Sequence, residues 1–195
     1  MKKKSIKERR TFQYFIDAAK KIIEDEGVEG ITARKVGELS GYSYATIYNY
    51  FSDIKELLAY CAVDYLRMVL KKIENIDVEG LNCLETIKIY NETYFKFFAE
   101  KPQLFQLIFL EDIGDYPIKM MEENNEPQAG HLIFKHLEKC AEEGLIDESM
   151  IETIHRLNTY SIHGKLLFYI KNRDSMPIEE LIEVMNKEID LIFGS

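Results

Sequence analysis

The sequence contains few of the residues that interrupt regular structure and few of those that build disulfide scaffolds. Its 195 residues include only 4 prolines, 10 glycines and 3 cysteines, and tryptophan is absent. Because 46% of the residues are apolar, the composition excludes a disordered or low-complexity chain. Cys61, Cys83 and Cys140 are odd in number, widely spaced and without a CxxC pair. We therefore expect no disulfide framework and a reducing, cytoplasmic environment.

Long hydrophobic runs are also missing. The best candidate, residues 102–110 (PQLFQLIFL), consists of nine uncharged residues, whereas a membrane-spanning helix needs about 20 apolar ones. The basic N-terminus is not followed by an apolar segment, because Glu8, Arg9, Arg10 and Asp17 interrupt it, so it lacks the pattern of a secretory signal. These absences predict a soluble intracellular protein.

Positive charge is scarce in the chain as a whole but not at its N-terminus. A net charge of -9 predicts repulsion from nucleic acid and from anionic membranes. Residues 1–58, however, carry 11 Lys/Arg against 9 Asp/Glu, whereas residues 59–195 carry 14 against 25. Six of the first ten residues are basic, and they form either a solvated tail or an arm that follows DNA. The sequence thus predicts a mildly basic N-terminal part and an acidic C-terminal body.

Apolar residues recur with the 3.6-residue period of an amphipathic helix along almost the whole chain. The first apolar stripe consists of Phe12, Phe15, Ile16, Ala19, Ile22 and Ile23. No segment shows the alternation of a β-strand. The sequence therefore predicts an all-α fold, with a first helix that ends at Gly27 and further helices at residues 33–40, 44–50, 53–75, 81–100, 102–112, 127–144, 147–173 and 177–193.

Prolines and one irregular stretch refine this prediction. Pro102, Pro127 and Pro177 each stand where a proline would occupy the first position of a helix. Gly144 stands where a glycine would end one. Residues 116–125 are the least regular stretch, and we expect a loop or a frayed helix there.

Residues 32–51 (TARKVGELSGYSYATIYNYF) predict a helix, a glycine turn and a second helix within 20 residues. A helix-turn-helix needs this spacing to project its second helix into the major groove of DNA. Thr32 is expected to cap the first helix and Gly41 to permit the turn. The buried side is expected to consist of Val36, Leu39, Tyr42 and Ile47. The side chains left outside suit phosphate oxygens and base edges: Arg34, Ser43, Tyr44, Thr46, Tyr48, Asn49 and Tyr50.

Three motifs in this region carry a resemblance to a known family. They are G-V-E-G-I-T-A-R-K-V, the L-S-G-Y-S turn and A-T-I-Y-N-Y-F, preceded by the helix that ends at Gly27 and followed by D-I-K-E-L-L. Together they resemble the tetracycline-repressor (TetR, AcrR-like) family of transcriptional regulators. The resemblance is close over residues 8–60 and extends to the whole chain through its length and helix number.

The resemblance implies roles for particular residues. Thr32 matches a residue near a phosphate, Arg34 one that contacts base edges in some members, and Tyr48 a tyrosine that donates to phosphate. Where members carry a lysine early in the fourth helix this chain has Ile54, and Lys55 is the available substitute. The predicted DNA-binding residues are Thr32, Arg34, Ser43, Tyr44, Ala45, Thr46, Tyr48, Asn49, Tyr50 and Lys55.

The resemblance also implies two functional domains along the chain. Residues 1–52 are expected to form the DNA-binding domain, and residues 53–195 a helical regulatory, ligand-binding and dimerisation domain. The apolar surfaces of residues 147–173 and 177–193 suit a two-chain, four-helix interface, and a homodimer would bind a pseudo-palindromic operator as a repressor. An aromatic cluster could line a cavity for an unknown apolar effector: Tyr90, Tyr94, Phe95, Phe97, Phe98, Phe105 and Phe109. No cofactor is expected.

Other interpretations of these residues are weaker. Gly41-Tyr-Ser43-Tyr-Ala45 superficially resembles the nucleophile elbow of a hydrolase, but that motif needs a preceding strand, and we expect no catalytic residue. His131, His136 and Cys140 share one predicted helix but lack the remaining partners of a zinc site, so no metal is expected. His155 and His163 suit a core or an interface. The alternative function is a helical protein- or lipid-binding module that does not bind DNA.

Overall fold

The computed structural model describes residues 5–125 and 127–194. Across these residues the chain forms helices, turns and loops and no β-strand, which confirms the all-α prediction. No helix in the same ranges is long and apolar enough to cross a membrane. The α-helices are α1 (Ile6–Glu26), α2 (Ala33–Ser40), α3 (Tyr44–Ile47), α4 (Ile54–Glu74), α5 (Cys83–Ala99), α6 (Pro102–Phe105), α7 (Tyr116–Glu123), α8 (Ala129–Glu142), α9 (Ile151–Ile170) and α10 (Ile178–Phe193).

Shorter helical turns connect these helices. Turns of 3-10 helix occupy Val28–Gly30 and Glu148–Met150, and Gln106–Leu110 forms a π-helical turn after α6. The chain packs into two compact units. Unit 1 contains residues 1–65 and 103–126, and unit 2 contains residues 66–102 and 127–195. Helix α4 belongs to unit 1 up to Tyr65 and to unit 2 from Leu66 onward, so its backbone is continuous through both.

Unit 1 is organised around the apolar side of α1. Ser5 and Glu8 form a capping box at the start of this helix, with each side chain bonded to the other residue's backbone N–H. The α1 side chains that are buried are Thr11, Phe15, Ile16, Ala18, Ala19, Ile22 and Ile23, close to the predicted stripe. Helix α2 packs on α1 and α3 packs on α2, so the helix-turn-helix rests on this first helix.

Unit 2 is a bundle in which α5 contacts α8, α9 and α10. Asn82 caps α5 and, with Glu85, completes a second capping box. The core is mainly apolar, and its fully buried side chains include Phe95, Phe98 and Leu166. With one side of α9 and α10 packed on α5, their other sides face solvent in the single chain.

Some local predictions are wrong in detail. Pro127 precedes α8 by two residues, and Pro177 is the N-cap of α10 rather than its first helical residue. Gly27 ends α1 as expected, with φ 80° and ψ 179°. The region expected to be a loop or frayed helix contains the regular helix Tyr116–Glu123, with a proline in its first turn.

The prediction of no disulfide is wrong, so the cysteines give no support for a reducing environment. Cys83 and Cys140 form a disulfide, with their Cα atoms 5.7 Å apart and a sequence separation of 57. The bond joins the first turn of α5 to the last turn of α8, two helices that pack together, so their packing rather than any sequence spacing makes the pair. Cys61 is free, and burial raises the pKa of its thiol.

Candidate DNA-binding surface

The first helix of the helix-turn-helix begins and ends where the sequence predicts. Thr32 is the N-cap of α2, and its Oγ1 accepts a hydrogen bond from the backbone N–H of Lys35 at 3.1 Å. Gly41 follows α2 with φ 79° and ψ 21°, the left-handed conformation that glycine adopts without strain. The N–H of Tyr42 then donates to the carbonyl of Gly37 at 2.9 Å, which closes the turn.

Gly37 is absent from the predicted set, yet it determines how closely α2 approaches this turn. A Cβ atom at this position would lie 2.9 Å from the carbonyl oxygen of Tyr42 and 2.9 Å from the backbone nitrogen of Tyr44. A glycine inside a helix destabilises the helix by about 1 kcal/mol relative to alanine. A glycine in the middle of the predicted helix 33–40 therefore suggests a packing reason, and this is the sequence signal that could have identified Gly37.

The second helix, α3, is anchored by side chains that point inward. Val36 and Ile47 have no exposed surface. The hydroxyl of Tyr42 lies 3.1 Å from Oγ1 of Thr11, and its ring centroid lies 5.4 Å from that of Phe15. These contacts fix the start of α3 relative to α1.

Most of the predicted DNA-binding residues lie on the surface of unit 1. The exposed ones are Thr32, Arg34, Ser43, Tyr44, Ala45, Tyr48 and Asn49, and the half-buried ones are Thr46, Tyr50 and Lys55. Tyr44 is 61% exposed and Tyr48 is 51% exposed, so neither is a core aromatic. The ring of Tyr50 lies 5.7 Å from that of Phe15 and is partly in the core. Helix α3 itself is shorter than predicted, because it ends at Ile47 and continues as turns.

Leu39 was expected on the buried side of α2, and that expectation is wrong. Its side chain is 49% exposed, whereas Val36 and Gly37 are buried. The buried direction of this eight-residue helix lies between those two residues, and position 39 points about 110° away from it at 100° per residue. Leu39 therefore falls on the rim of the surface rather than beneath it.

Three cations in or beside the helix-turn-helix are paired with carboxylates. Such exposed pairs contribute little to stability, but each reduces the positive charge that unit 1 can present to DNA. Lys2, Lys3 and Lys4 of the basic N-terminus lie outside the described residues. The three pairs are Arg34 with Glu38 at 2.9 Å, Lys35 with Glu26 at 2.5 Å, and Lys55 with Asp112 at 2.6 Å.

The segment 103–126 brings additional residues to unit 1. Nε2 of Gln106 donates to Oε1 of Glu29 at 2.6 Å. The hydrogen bond between Lys55 and Asp112 is the largest influence on both groups, raising the pKa of the ammonium and lowering that of the carboxyl. These partners are distant in sequence, so the sequence contained no signal for them.

Unit 2 contains two polar pairs between α5 and α9. Asn91 and Asn158 are buried and exchange side-chain hydrogen bonds of 2.7 and 3.1 Å. The hydroxyl of Tyr94 lies 2.8 Å from Nε2 of His163, and the two rings stack. Burial raises the pKa of the Tyr94 hydroxyl and lowers that of His163.

The predicted aromatic cluster is divided between the units. Phe105 and Phe109 belong to unit 1, and the other members belong to unit 2. Two open depressions mark the surface of unit 2. A groove of about 260 Å³ runs between α9 and α10 and includes Asn158, Ser161 and Met185 in its lining. A second depression, of about 390 Å³, lies beside the turn that joins α9 to α10, next to Tyr169 and Asp174.

The histidines that raised the question of a metal site have other surroundings. Cys140 is bonded to Cys83, and the ring of His136 packs edge-on against Tyr90. Nε2 of His155 lies 3.1 Å from the carbonyl oxygen of Gly130. Within the described ranges, no group of three or more His, Cys, Asp or Glu side chains is arranged to hold a metal ion.

Comparisons with known proteins find similar sequences for part of the chain and similar folds for nearly all of it. Residues 15–61 match the sequence model described as bacterial regulatory proteins, tetR family. No curated protein matches the sequence.

Solved structures resemble almost the whole chain. FadR from Bacillus subtilis in complex with stearoyl-CoA has a TM-score of 0.70 at 15% identity, covering 91% of this chain and 97% of its own. FadR from Thermus thermophilus in complex with lauroyl-CoA has a TM-score of 0.68 at 16% identity, covering 91% and 92%. RolR in complex with resorcinol has a TM-score of 0.72 at 16% identity, covering 95% and 90%. The chain therefore carries the N-terminal domain of the bacterial tetR-family regulatory proteins and has the fold of TetR-type transcriptional regulators.

Proposed function

We propose that the chain is a ligand-responsive transcriptional repressor that binds a pseudo-palindromic operator as a homodimer in the cytoplasm. Residues 1–52 read DNA, and residues 53–195 bind the effector and join the two protomers. The observation that carries this proposal is the geometry of α3. Ile47 holds this helix with a side chain that has no exposed surface, while Tyr44, at its start, and Tyr48, directly after it, are 61% and 51% exposed.

The exposed groups match the two tasks of a DNA-reading surface. Tyr48 places a hydroxyl far from the backbone, where it donates to a phosphate oxygen. The hydroxyl of Thr32 accepts the Lys35 N–H and still has its own hydrogen to donate to phosphate. Ala45 offers a methyl group to a thymine methyl, and Tyr44 and Thr46 flank it at the base edges.

Homodimerisation is supported by the exposed apolar surface of unit 2. Leu157, Tyr160 and Phe168 lie along α9 and are 52%, 65% and 56% exposed, and Leu191 on α10 is 82% exposed. A Cβ on Gly164, which lies among them, would meet no atom within 4 Å, so a second helix could approach closely there. Two such helices from each protomer form a two-fold, four-helix interface. The dimer presents two α3 helices to half-sites about 34 Å apart.

The effector is an apolar small molecule that binds in unit 2. Apolar walls with a few polar groups are typical of small-molecule sites, and unit 2 combines buried aromatics with the Asn91–Asn158 and Tyr94–His163 pairs. Two of the similar structures contain a fatty acyl-CoA, whose acyl chain is its apolar part, and one contains resorcinol, so these compounds are the first candidates. To shift DNA occupancy from 99% to 1%, the effector must prefer the non-binding state by about 5.5 kcal/mol.

The test of DNA binding is a fluorescence-anisotropy titration of the protein with labelled DNA from upstream of its own gene. Tyr48→Phe removes one hydrogen bond to a charged group, worth about 1.5 kcal/mol, so affinity should fall about tenfold per half-site for all sequences alike. Tyr44→Ala should instead reduce the preference for the operator over altered half-sites. Tyr169→Phe is the control, because it removes a hydroxyl from the last turn of α9, in unit 2 and outside the surface assigned to the dimer, and keeps the ring.

Different outcomes separate the alternatives. If neither the Tyr44 variant nor the Tyr48 variant differs from the Tyr169→Phe control, the assignment of this region to DNA reading is wrong. If the unmodified protein binds no DNA even at low salt, the protein- or lipid-binding module becomes the better description.

The effector is tested by adding lauroyl-CoA, stearoyl-CoA or resorcinol to the preformed DNA complex. A true effector releases the DNA and, without DNA, raises the melting temperature of the protein by binding its folded state. A compound that raises the melting temperature but leaves the DNA complex intact is a ligand without regulatory effect.

A further inference from the structure

Lys55 lies in the first turn of α4, shortly after the helix-turn-helix in sequence, and its ammonium group already has a carboxylate partner. Its Nζ lies 2.6 Å from Oδ2 of Asp112, and the two side chains are 44% and 86% exposed. An ion pair in such an exposed place contributes only about 0–1 kcal/mol to folding. The position of this carboxylate therefore affects the surface charge of unit 1 more than its stability.

The loop that carries Asp112 is fixed at the start of α4 by further contacts. The hydroxyl of Tyr116 lies 3.2 Å from Oγ of Ser52 and donates to Oδ2 of Asp53 at 3.4 Å. The backbone N–H of Gly114 donates to Oδ1 of Asp112 at 3.3 Å, which orients the carboxylate. Asp112 is thus a positioned partner of Lys55 rather than a mobile counterion.

We propose that Asp112 sets the DNA affinity of this protein by holding Lys55 and preventing it from contacting the DNA backbone. This inference rests on the proposed DNA-binding function. A carboxylate and a phosphate compete for the same ammonium group, and the carboxylate is held in place by its own chain. Ile54 supplies no charge, so the start of α4 contributes no cationic phosphate contact while the pair is intact.

The effect of releasing Lys55 follows from counterion release. Asp112→Asn preserves the shape of the side chain and removes its charge, which frees one ammonium per protomer. Each new phosphate contact steepens the plot of log K against log salt by about 0.9, so a dimer gains about 1.8. At 0.1 M salt the same slope corresponds to a gain of about eightfold in affinity per protomer.

Asp115→Asn is the matched control. Asp115 lies on the same segment, is exposed and pairs with Lys119 at 2.6 Å, so its substitution changes the net charge equally without affecting Lys55. Lys55→Gln, made in the unmodified protein and in the Asp112→Asn variant, completes a double-mutant cycle. All variants are titrated with the upstream DNA at four salt concentrations, and circular dichroism verifies that each is folded.

The expected result is tighter binding and a steeper salt dependence for Asp112→Asn only, with the whole gain lost when Lys55→Gln is added. Equal effects of Asp112→Asn and Asp115→Asn would overturn the inference, because they would reflect net charge alone. An equal loss from Lys55→Gln in both backgrounds would also overturn it, since Lys55 would then contact DNA despite Asp112. No DNA binding by the unmodified protein would refute the proposed function itself, whereas normal binding without an Asp112 effect refutes only this inference.

Discussion

Gly37 offers the sharpest test of how the helix-turn-helix is built. In Gly37→Ala the new Cβ would lie 2.9 Å from two backbone atoms, one in Tyr42 and one in Tyr44, and 3.1 Å from the Cα of Tyr44. Backbone atoms cannot rotate away as a side chain can, so the turn itself must move. Because Tyr44 begins α3, this movement displaces the recognition helix.

The magnitude follows from two opposing effects. Alanine is favoured over glycine inside a helix by about 1 kcal/mol. Overpacking a close contact costs about 1–3 kcal/mol, and a double backbone contact lies at the upper end of that range. We therefore expect Gly37→Ala to lower the free energy of unfolding by about 2 kcal/mol. Urea unfolding followed by circular dichroism, at constant protein concentration, measures this change, and the titration with upstream DNA measures the accompanying loss of affinity.

Gly41 provides the control, because it is required for its backbone conformation rather than for space. It has φ 79°, and a Cβ there would meet no atom within 4 Å. Asparagine tolerates the left-handed conformation better than alanine, so Gly41→Asn should be more stable than Gly41→Ala. At position 37 the order should reverse, since the larger side chain increases the clash. A Gly37→Ala protein as stable as the unmodified one, or the same order of variants at both positions, would refute this reasoning.

Two further predictions concern unit 2. Asn91→Leu or Asn158→Leu alone leaves a buried amide unpaired, so each should lower the free energy of unfolding by about 1–3 kcal/mol. In urea unfolding, the double variant should lose less than the sum of the two single losses. Additive losses would contradict the paired arrangement. Burial lowers the pKa of His163 below the roughly 6.5 of an unfolded histidine, so its stabilising effect is present above pH 6.5 and lost below it, by up to about 1.4 kcal/mol per pH unit. The free energy of unfolding should therefore fall more between pH 7.5 and pH 5.5 in the unmodified protein than in His163→Gln, and equal pH dependence would contradict the buried, neutral histidine.

The helix-turn-helix was predictable because its signals are local. A capping threonine and a turn glycine determine the backbone within a few residues of themselves, and both Thr32 and Gly41 act in the structure as the sequence indicates. The apolar period likewise predicts α1 from neighbouring residues. Leu39 shows the limit of this kind of prediction. The apolar period indicates which side of a helix can be buried, but it does not indicate how much of that side the neighbouring helices cover.

Contacts between distant residues were not predictable. Lys55 and Asp112 are 57 residues apart, and so are Cys83 and Cys140. Neither pair has a spacing that a sequence pattern could recognise, because packing of separate helices brings them together. The predicted functional boundary at residue 52 stays a prediction, while the packing assigns residues 103–126 to unit 1, the unit that holds α1–α3.

Unit 1 is formed by two separate stretches of sequence, and this limits which fragments and chimeras of the protein can fold. A fragment that ends at residue 65 retains α1–α3 but lacks residues 103–126, and with them the partners of Ser52, Asp53 and Lys55. The missing segment also contributes several buried apolar side chains: Leu104, Phe105, Leu107, Ile113 and Met121. A chimera that joins another regulatory unit to unit 1 must therefore transfer residues 1–65 and 103–126 together. A single crossover after α3 would replace unit 2 and, with it, residues 103–126 of unit 1.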